Sequence, residues 1–186
     1  VAGWIMVASG LDQRPAVSHL NLTLHLLLAL TLFSLALWTA FGHKYGFHDT
    51  SKKVTWSLPS KLAVFSFVIL IIQVSYGGFT AGLKAGHVSD TWPLMLGKLI
   101  PPNLFNSWIN IFESPQTIVF IHRWFAWLGL ILVPAVYYLV KKQNYPADIQ
   151  NGLKWLIGVV ALQITLGVLT ILSYVNIVIA LIHQAN

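Results

Sequence analysis

Long apolar runs broken by short polar segments dominate the chain. Leu20 to Phe41, Lys61 to Leu83, Ile118 to Val140 and Gly152 to Ser173 are each almost free of charge. At about 1.5 Å per residue, some 20 helical residues cross a hydrocarbon core of about 30 Å, so each run predicts one transmembrane helix. Val1 to Leu11 reads as the outer end of a further helix, broken by Asp12, Gln13, Arg14 and Pro15. Tyr174 to Asn186 reads as the start of a fifth span. Ser18 or Asn21 is placed to cap the helix at Leu20. Between the runs lie three loops. Gly42 to Ser60 holds His43, Lys44, His48, Asp49, Lys52 and Lys53, Lys84 to Thr117 is long and rich in Pro, Trp and Asn, and Lys141 to Asn151 is short and basic. Val1 is not an initiator and the chain stops inside an apolar run, so an internal piece of a longer protein is expected.

Composition strengthens this picture. Of 186 residues, 56% are hydrophobic and 9% charged, where a soluble domain carries about 25% charged residues. The predicted class is all-α, a polytopic transmembrane helical bundle. The net charge of +6 matters through its placement and does not imply a nucleic-acid partner. Lys44, Lys52, Lys53, Lys61, Lys141, Lys142 and Lys154 crowd two short loops, whereas Arg14, Lys84, Lys98 and Arg123 are spread over the other side. The two basic loops are therefore expected to face the cytoplasm or a mitochondrial matrix, and the 84–117 loop outward. The chain has no cysteine, so it offers no disulfide, zinc thiolate site or iron–sulfur cluster. No nucleophile elbow, Walker loop or carboxylate dyad is present. The five acids lie outside the predicted spans, against a proton pump or cation transporter carried by these residues.

Three histidines remain inside spans. His25 is expected about 8 Å, His122 about 6 Å and His183 about 12 Å in from the outer helix ends. A polar side chain at such depth is expensive and rare, so it needs a role. Histidines on neighbouring helices at one depth can clamp a heme between them, because neutral imidazole is a common axial ligand. The plainer alternative is that each histidine hydrogen-bonds a neighbouring helix. His43 and His48 are expected to be inert in a solvated loop, and His87 and Glu113 are weak candidates.

The residues around His122, in the run IVFIHRWFAW, each admit two roles. Arg123 suits a heme propionate, or it snorkels to lipid headgroups. Trp124, Phe125 and Trp127 flank a porphyrin, or they belong to the interfacial aromatic belt. Gly77, Gly78 and Gly82 admit a flat macrocycle, or they let two helices pack closely. A weak internal repeat links Gln73-x3-Gly77-x2-Thr80 to Gln163-x3-Gly167-x2-Thr170. The run from Gly3 to Ser9 likewise echoes that from Gly167 to Ser173, each followed by a helix carrying His25 or His183. Repeated halves are common in membrane folds.

These runs resemble a known family. YGGFTAGLKAGHVSDTWPLMLGKLIPP followed by NIFESPQTIVFIHRW resembles heme A synthase of the mitochondrial and proteobacterial type. So do GWIMVASGL followed by VSHLNLTLHL, and QITLGVLTIL followed by ALIHQAN. The likeness covers nearly the whole chain in order.

The resemblance implies eight transmembrane helices in two pseudo-symmetric four-helix halves, each using a histidine pair to hold one heme near the outer face. Residues 1–60 would be the remnant of the N-terminal half, and 61–186 the C-terminal half with its last helix truncated. The family oxidises the C8 methyl of heme O to a formyl group, by successive hydroxylations and loss of water, giving heme A for cytochrome oxidase. Carried onto this chain, His122 and His183 would ligate heme b, with Arg123 beside them, and His25 would lie on the substrate side. Heme O, an electron donor, a heme O synthase and membrane lipid are the implied partners. The implied location is a bacterial inner membrane or a mitochondrial inner membrane. Val119 occupies the position matching the family's first-half acid, and Asn21 stands where many relatives carry Arg. The competing classes are a cytochrome b-like electron carrier, which needs histidine pairs at both faces, and a heme-free transporter or assembly factor.

Overall fold

The computed structural model describes residues 1–10, 17–47 and 56–186. Asp12 to Pro15 with their proposed helix break, and His48, Asp49, Lys52 and Lys53 of the basic loop, lie outside the described residues. The described chain is helical: α1 Ala2–Ala8, α2 His19–Tyr45, α3 Leu58–Gly82, α4 Asn110–Glu113, α5 Pro115–Lys142, α6 Ala147–Leu172 and α7 Ile177–Ala185. Four of these, α2, α3, α5 and α6, are long and apolar enough to cross a membrane. The polytopic helical bundle expected from the hydropathy pattern is the architecture found. Successive helices pack side by side: α1 on α2, α2 on α3, α3 on α5, α5 on α6 and α6 on α7.

α2, α3, α5 and α6 each begin earlier than expected, because a helix continues through polar residues at the membrane surface, whereas α7 begins later, at Ile177. Ser18 is the cap of α2, its Oγ accepting from Asn21 N, so the helix starts at His19. Ser57 caps α3 and Ser114 caps α5, each followed by a proline in the first turn, where the missing N–H is no loss. α6 starts at Ala147, which puts Asp148 in its first turn. There the acid faces the positive end of the helix dipole, so it is a terminal residue of the span and not a loop acid. His43 likewise belongs to the last turn of α2 and not to a loop, with its ring edge-on to Phe47.

These starts give the three histidines similar depths along their own helices. His25 now stands about 9 Å below the first residue of α2, His122 about 10 Å below that of α5, and His183 about 9 Å below that of α7.

The segment expected as an open loop from 84 to 117 is folded. It contains a 3₁₀ turn, Ala85–Val88, an isolated bridge between Met95 and Lys98, and the short α4. Ala85, Met95 and Val119 form a buried cluster, with Leu83, Val88 and Phe120 packed around it. Most apolar side chains of the long helices are exposed, as lipid-facing side chains must be. The tight core therefore sits at the outer end of α5, under the cap. Thr117 is fully buried there, and its hydroxyl donates to the Leu104 carbonyl at 2.7 Å. His19 Nε2 donates to the Phe112 carbonyl at 2.8 Å, tying the start of α2 to the same cap. At the opposite end, Ser57 Oγ and Tyr145 hydroxyl lie 3.0 Å apart and join α3 to the α5–α6 turn.

Candidate heme site

α3, α5, α6 and α7 build the site. α3 and α6 run toward the outer end, and α5 and α7 run back from it. Gly77 on α3 and Gly167 on α6 each stand five residues before the last residue of their helix. Each faces a histidine of the following long-range partner. A Cβ on Gly77 would meet His122 Cε1 at 3.2 Å, and one on Gly167 would meet His183 Cε1 at 3.0 Å. Both imidazoles thus rest in a notch that only a missing side chain leaves open. Gly3 repeats the relation on α1, where a Cβ would stand 3.5 Å from His25 Cε1.

The glutamines one turn before the two notches reach the same histidines. Gln73 Nε2 lies 3.1 Å from His122 Nδ1 and donates to the His122 carbonyl at 3.0 Å. Gln163 Nε2 donates to the His183 carbonyl at 2.9 Å, and His183 Nδ1 lies 3.1 Å from the Gln163 main-chain oxygen. With Nδ1 engaged on both rings, neither Nε2 has a hydrogen-bond partner among the described residues. His122 and His183 lie on α5 and α7, which both pack against α6. His25 is on α2, whose main packing among the described residues is against α1 and α3, and so it stands apart from this pair. The α6–α7 turn that delivers His183 passes through two left-handed residues, Tyr174 and Val175, before Asn176 Oδ1 caps α7.

Arg123 is the neighbour whose place differs most from its alternatives. It is 6% exposed, so it does not snorkel. Its guanidinium donates to Ser89 O at 2.8 Å and Thr91 O at 3.2 Å, and its Nε is buried with no partner. It therefore anchors the folded outer segment to the helix that carries His122. Trp127 stacks on Trp92 of that segment, with centroids 6.2 Å apart and planes 17° from parallel. Trp124 is partly exposed and tilts against Phe120, while Trp108 at 75% exposure stands free of the cap. Of the three glycines in YGGFTAG, only Gly77 meets a site histidine. Gly78 and Gly82 press against Thr23 and His19 of α2, the helix-packing role. His87 lies in the cap beside Tyr174, and Glu113 is exposed on α4.

The donor set is thus two imidazoles from different helices. No group of three or more His, Cys, Asp or Glu gathers among the described residues. Such a pair suits a metal whose remaining ligands come with it, as iron in a porphyrin does. Sequence comparison decides the family, because the model of cytochrome oxidase assembly proteins named COX15-CtaA matches residues 1–186. The chain belongs to the COX15-CtaA family. It is 40% identical over 185 residues to the heme A synthase of Wolbachia sp. subsp. Brugia malayi (strain TRS), covering 98% of this chain and 53% of that protein. It is 41% identical to the heme A synthase of Wolbachia pipientis wMel, covering 98% and 51%, and 35% identical to that of Rhizorhabdus wittichii, covering 98% and 52%. The chain spans about half the length of these curated relatives. No solved structure matches it. Within this COX15-CtaA chain, Gln73, Gln163 and Gly167 meet the two histidines, contacts that reasoning on histidines alone missed. The Gln-x3-Gly repeat was the signal for them.

Proposed function

We propose that this chain is part of a heme A synthase, an oxidoreductase that converts the C8 methyl of heme O to the formyl group of heme A for cytochrome oxidase. His122 and His183 would hold a heme b in the half spanning 61–186. His25 belongs to the other half, of which 1–60 is a part, on the side that takes heme O. The observation that carries the reading is the paired notch. Gly77 with His122 and Gly167 with His183 are the same helix-and-histidine unit used twice, at similar depths along their helices, with both Nε2 atoms left without a protein partner among the described residues.

The residues fit such a group. Nδ1 of each ring is held, which orients the imidazole and keeps Nε2 clear of protein partners. A heme bound there supplies one-electron redox chemistry, with a potential set by its axial ligands and their hydrogen bonds. The protein's own part is to seat the rings in the glycine notches and to cover the outer end with the Ala85–Leu104 segment. Arg123 Nε, buried without a partner, is the donor left for a propionate. Heme O is the substrate, and an electron donor and a heme O synthase are the expected partners. The setting is a bacterial or mitochondrial inner membrane.

The test uses the full-length protein in wild-type and His122→Ala form, with reduced-minus-oxidised spectra and extraction of the hemes. A low-spin heme b signal lost in the variant, with heme A formed only by wild type, supports ligand and reaction together. A wild type with heme b but without heme A would leave an electron carrier, and a wild type without heme would sink the reading.

A further inference from the structure

Gln73 and Gln163 occupy matching places in the repeat, yet they treat their histidines differently. The Gln163 amide is satisfied on both sides: Nε2 donates to the His183 carbonyl, and Oε1 accepts from Asn186 Nδ2 at 2.9 Å. Its side chain makes no hydrogen bond to the imidazole among the described residues. His183 Nδ1 faces a main-chain oxygen, which can only accept, so Nδ1 carries the proton and Nε2 the lone pair. That tautomer is ready to bind a metal.

At His122 a side-chain amide takes this position. Its nitrogen serves both Nδ1 and the His122 carbonyl, and its oxygen, Oε1, is buried with no hydrogen-bond partner. With an N–H pointing at it, Nδ1 accepts and the ring proton sits on Nε2, the wrong nitrogen for a ligand. An imidazole that binds through Nε2 carries its proton on Nδ1 and needs an acceptor there. The unused acceptor beside it is Gln73 Oε1. Turning the amide exchanges the Nε2 bond to the His122 carbonyl for a bond from Nδ1–H to the buried Oε1, and an Nδ1 that carries the proton needs that acceptor.

We infer that Gln73 is the positioning residue of His122: its amide turns Oε1 to the Nδ1 proton, which fixes the plane of the ring and raises its donor strength. This rests on the reading of His122 and His183 as heme ligands. It makes the two ligands unequal. Side chain chemistry governs His122, and main chain governs His183. A hydrogen bond from Nδ1–H strengthens imidazole as a donor and so favours the oxidised iron.

The experiment is a potentiometric titration of the full-length protein in detergent, with low-temperature EPR of the oxidised low-spin heme. Gln73→Leu keeps the approximate size and removes both amide groups; its midpoint potential should rise and its g-values should change. Gln73→Glu keeps the shape and offers only acceptors when ionised; its potential should fall. A tenfold change in the reduction equilibrium, 59 mV for a one-electron couple, is the shift expected for Gln73→Leu. Gln163→Leu should shift the potential less, because the ring keeps its main-chain partner. Unchanged potential and EPR in both Gln73 variants would overturn the assignment while leaving the proposed function standing. So would an equal shift in Gln163→Leu, which would mark a general packing effect. A wild type with no low-spin heme would overturn the proposed function, and this assignment with it. Should Gln73→Leu not fold, Gln73→Glu alone decides by its downward shift or the lack of one.

Discussion

Gly167 and His183 meet across the α6–α7 interface so closely that a Cβ on the glycine would stand 3.0 Å from the imidazole Cε1. Gly77 and His122 repeat the contact at 3.2 Å between α3 and α5. Both distances are tighter than ordinary van der Waals contact, so any side chain there must move a ring. Alanine in mid-helix gains about 1 kcal/mol of propensity over glycine, while overpacking costs about 1–3 kcal/mol. Gly167→Ala is therefore expected to fold with nearly unchanged stability but with a displaced His183 ring. In the full-length protein its low-spin EPR signal should shift, and Gly167→Val should lose most of the heme. Wild-type EPR and heme content in Gly167→Val would show that the notch does not seat the ring.

Arg123 holds the outer segment through two charge-assisted hydrogen bonds to Ser89 and Thr91 carbonyls. Such bonds contribute about 1.5–3 kcal/mol each when buried. Arg123→Met keeps the apolar stem and removes both. Hydrogen exchange of residues 89–98 should then quicken at least tenfold, with smaller changes in α6. Arg123→Lys offers a single point donor in place of the planar fork and should restore only part of the protection. Wild-type protection in Arg123→Met would show that the Trp92–Trp127 stack and the Met95 cluster hold the segment unaided.

Thr117 is buried completely, and its hydroxyl bond to Leu104 O fixes where the cap returns to α5. Valine is close in shape but cannot donate. The Leu104 carbonyl would keep its second donor, Asn110 Nδ2 at 3.2 Å, so the loss is partial. Thr117→Val should cost about 1–2 kcal/mol in thermal unfolding in detergent, and Thr117→Ser much less. Equal melting of Thr117→Val and wild type would assign the position to packing alone.

His25 belongs to the α1–α2 pair and not to the His122–His183 pair. In the full-length protein His25→Ala should therefore retain the low-spin heme b spectrum that His122→Ala loses, while heme A production falls. Loss of heme b in His25→Ala would mean that the ligands are shared differently between the halves.

The apolar runs by themselves determined that four helices cross a membrane, because a backbone in lipid must satisfy its own hydrogen bonds and can do so as a helix. They also placed three histidines on one side, since depth follows from counting residues along a helix. The run pattern could not set the helix starts. Ser57, Pro59, Ser114 and Pro115 read as loop, yet caps and first-turn prolines extend α3 and α5 beyond the apolar runs, and α7 starts only after the Asn176 cap, which gives His183 a depth similar to that of His25 and His122. Only the tertiary structure decided which glycine of YGGFTAG meets a histidine, because neighbouring positions on a helix differ by about 100° and face different partners. It alone gave Arg123 to the carbonyls of the outer segment, and Gln73 to the ring of His122. Those contacts join residues that are 34 and 49 positions apart, across segments with no periodic pattern to predict where they fold back.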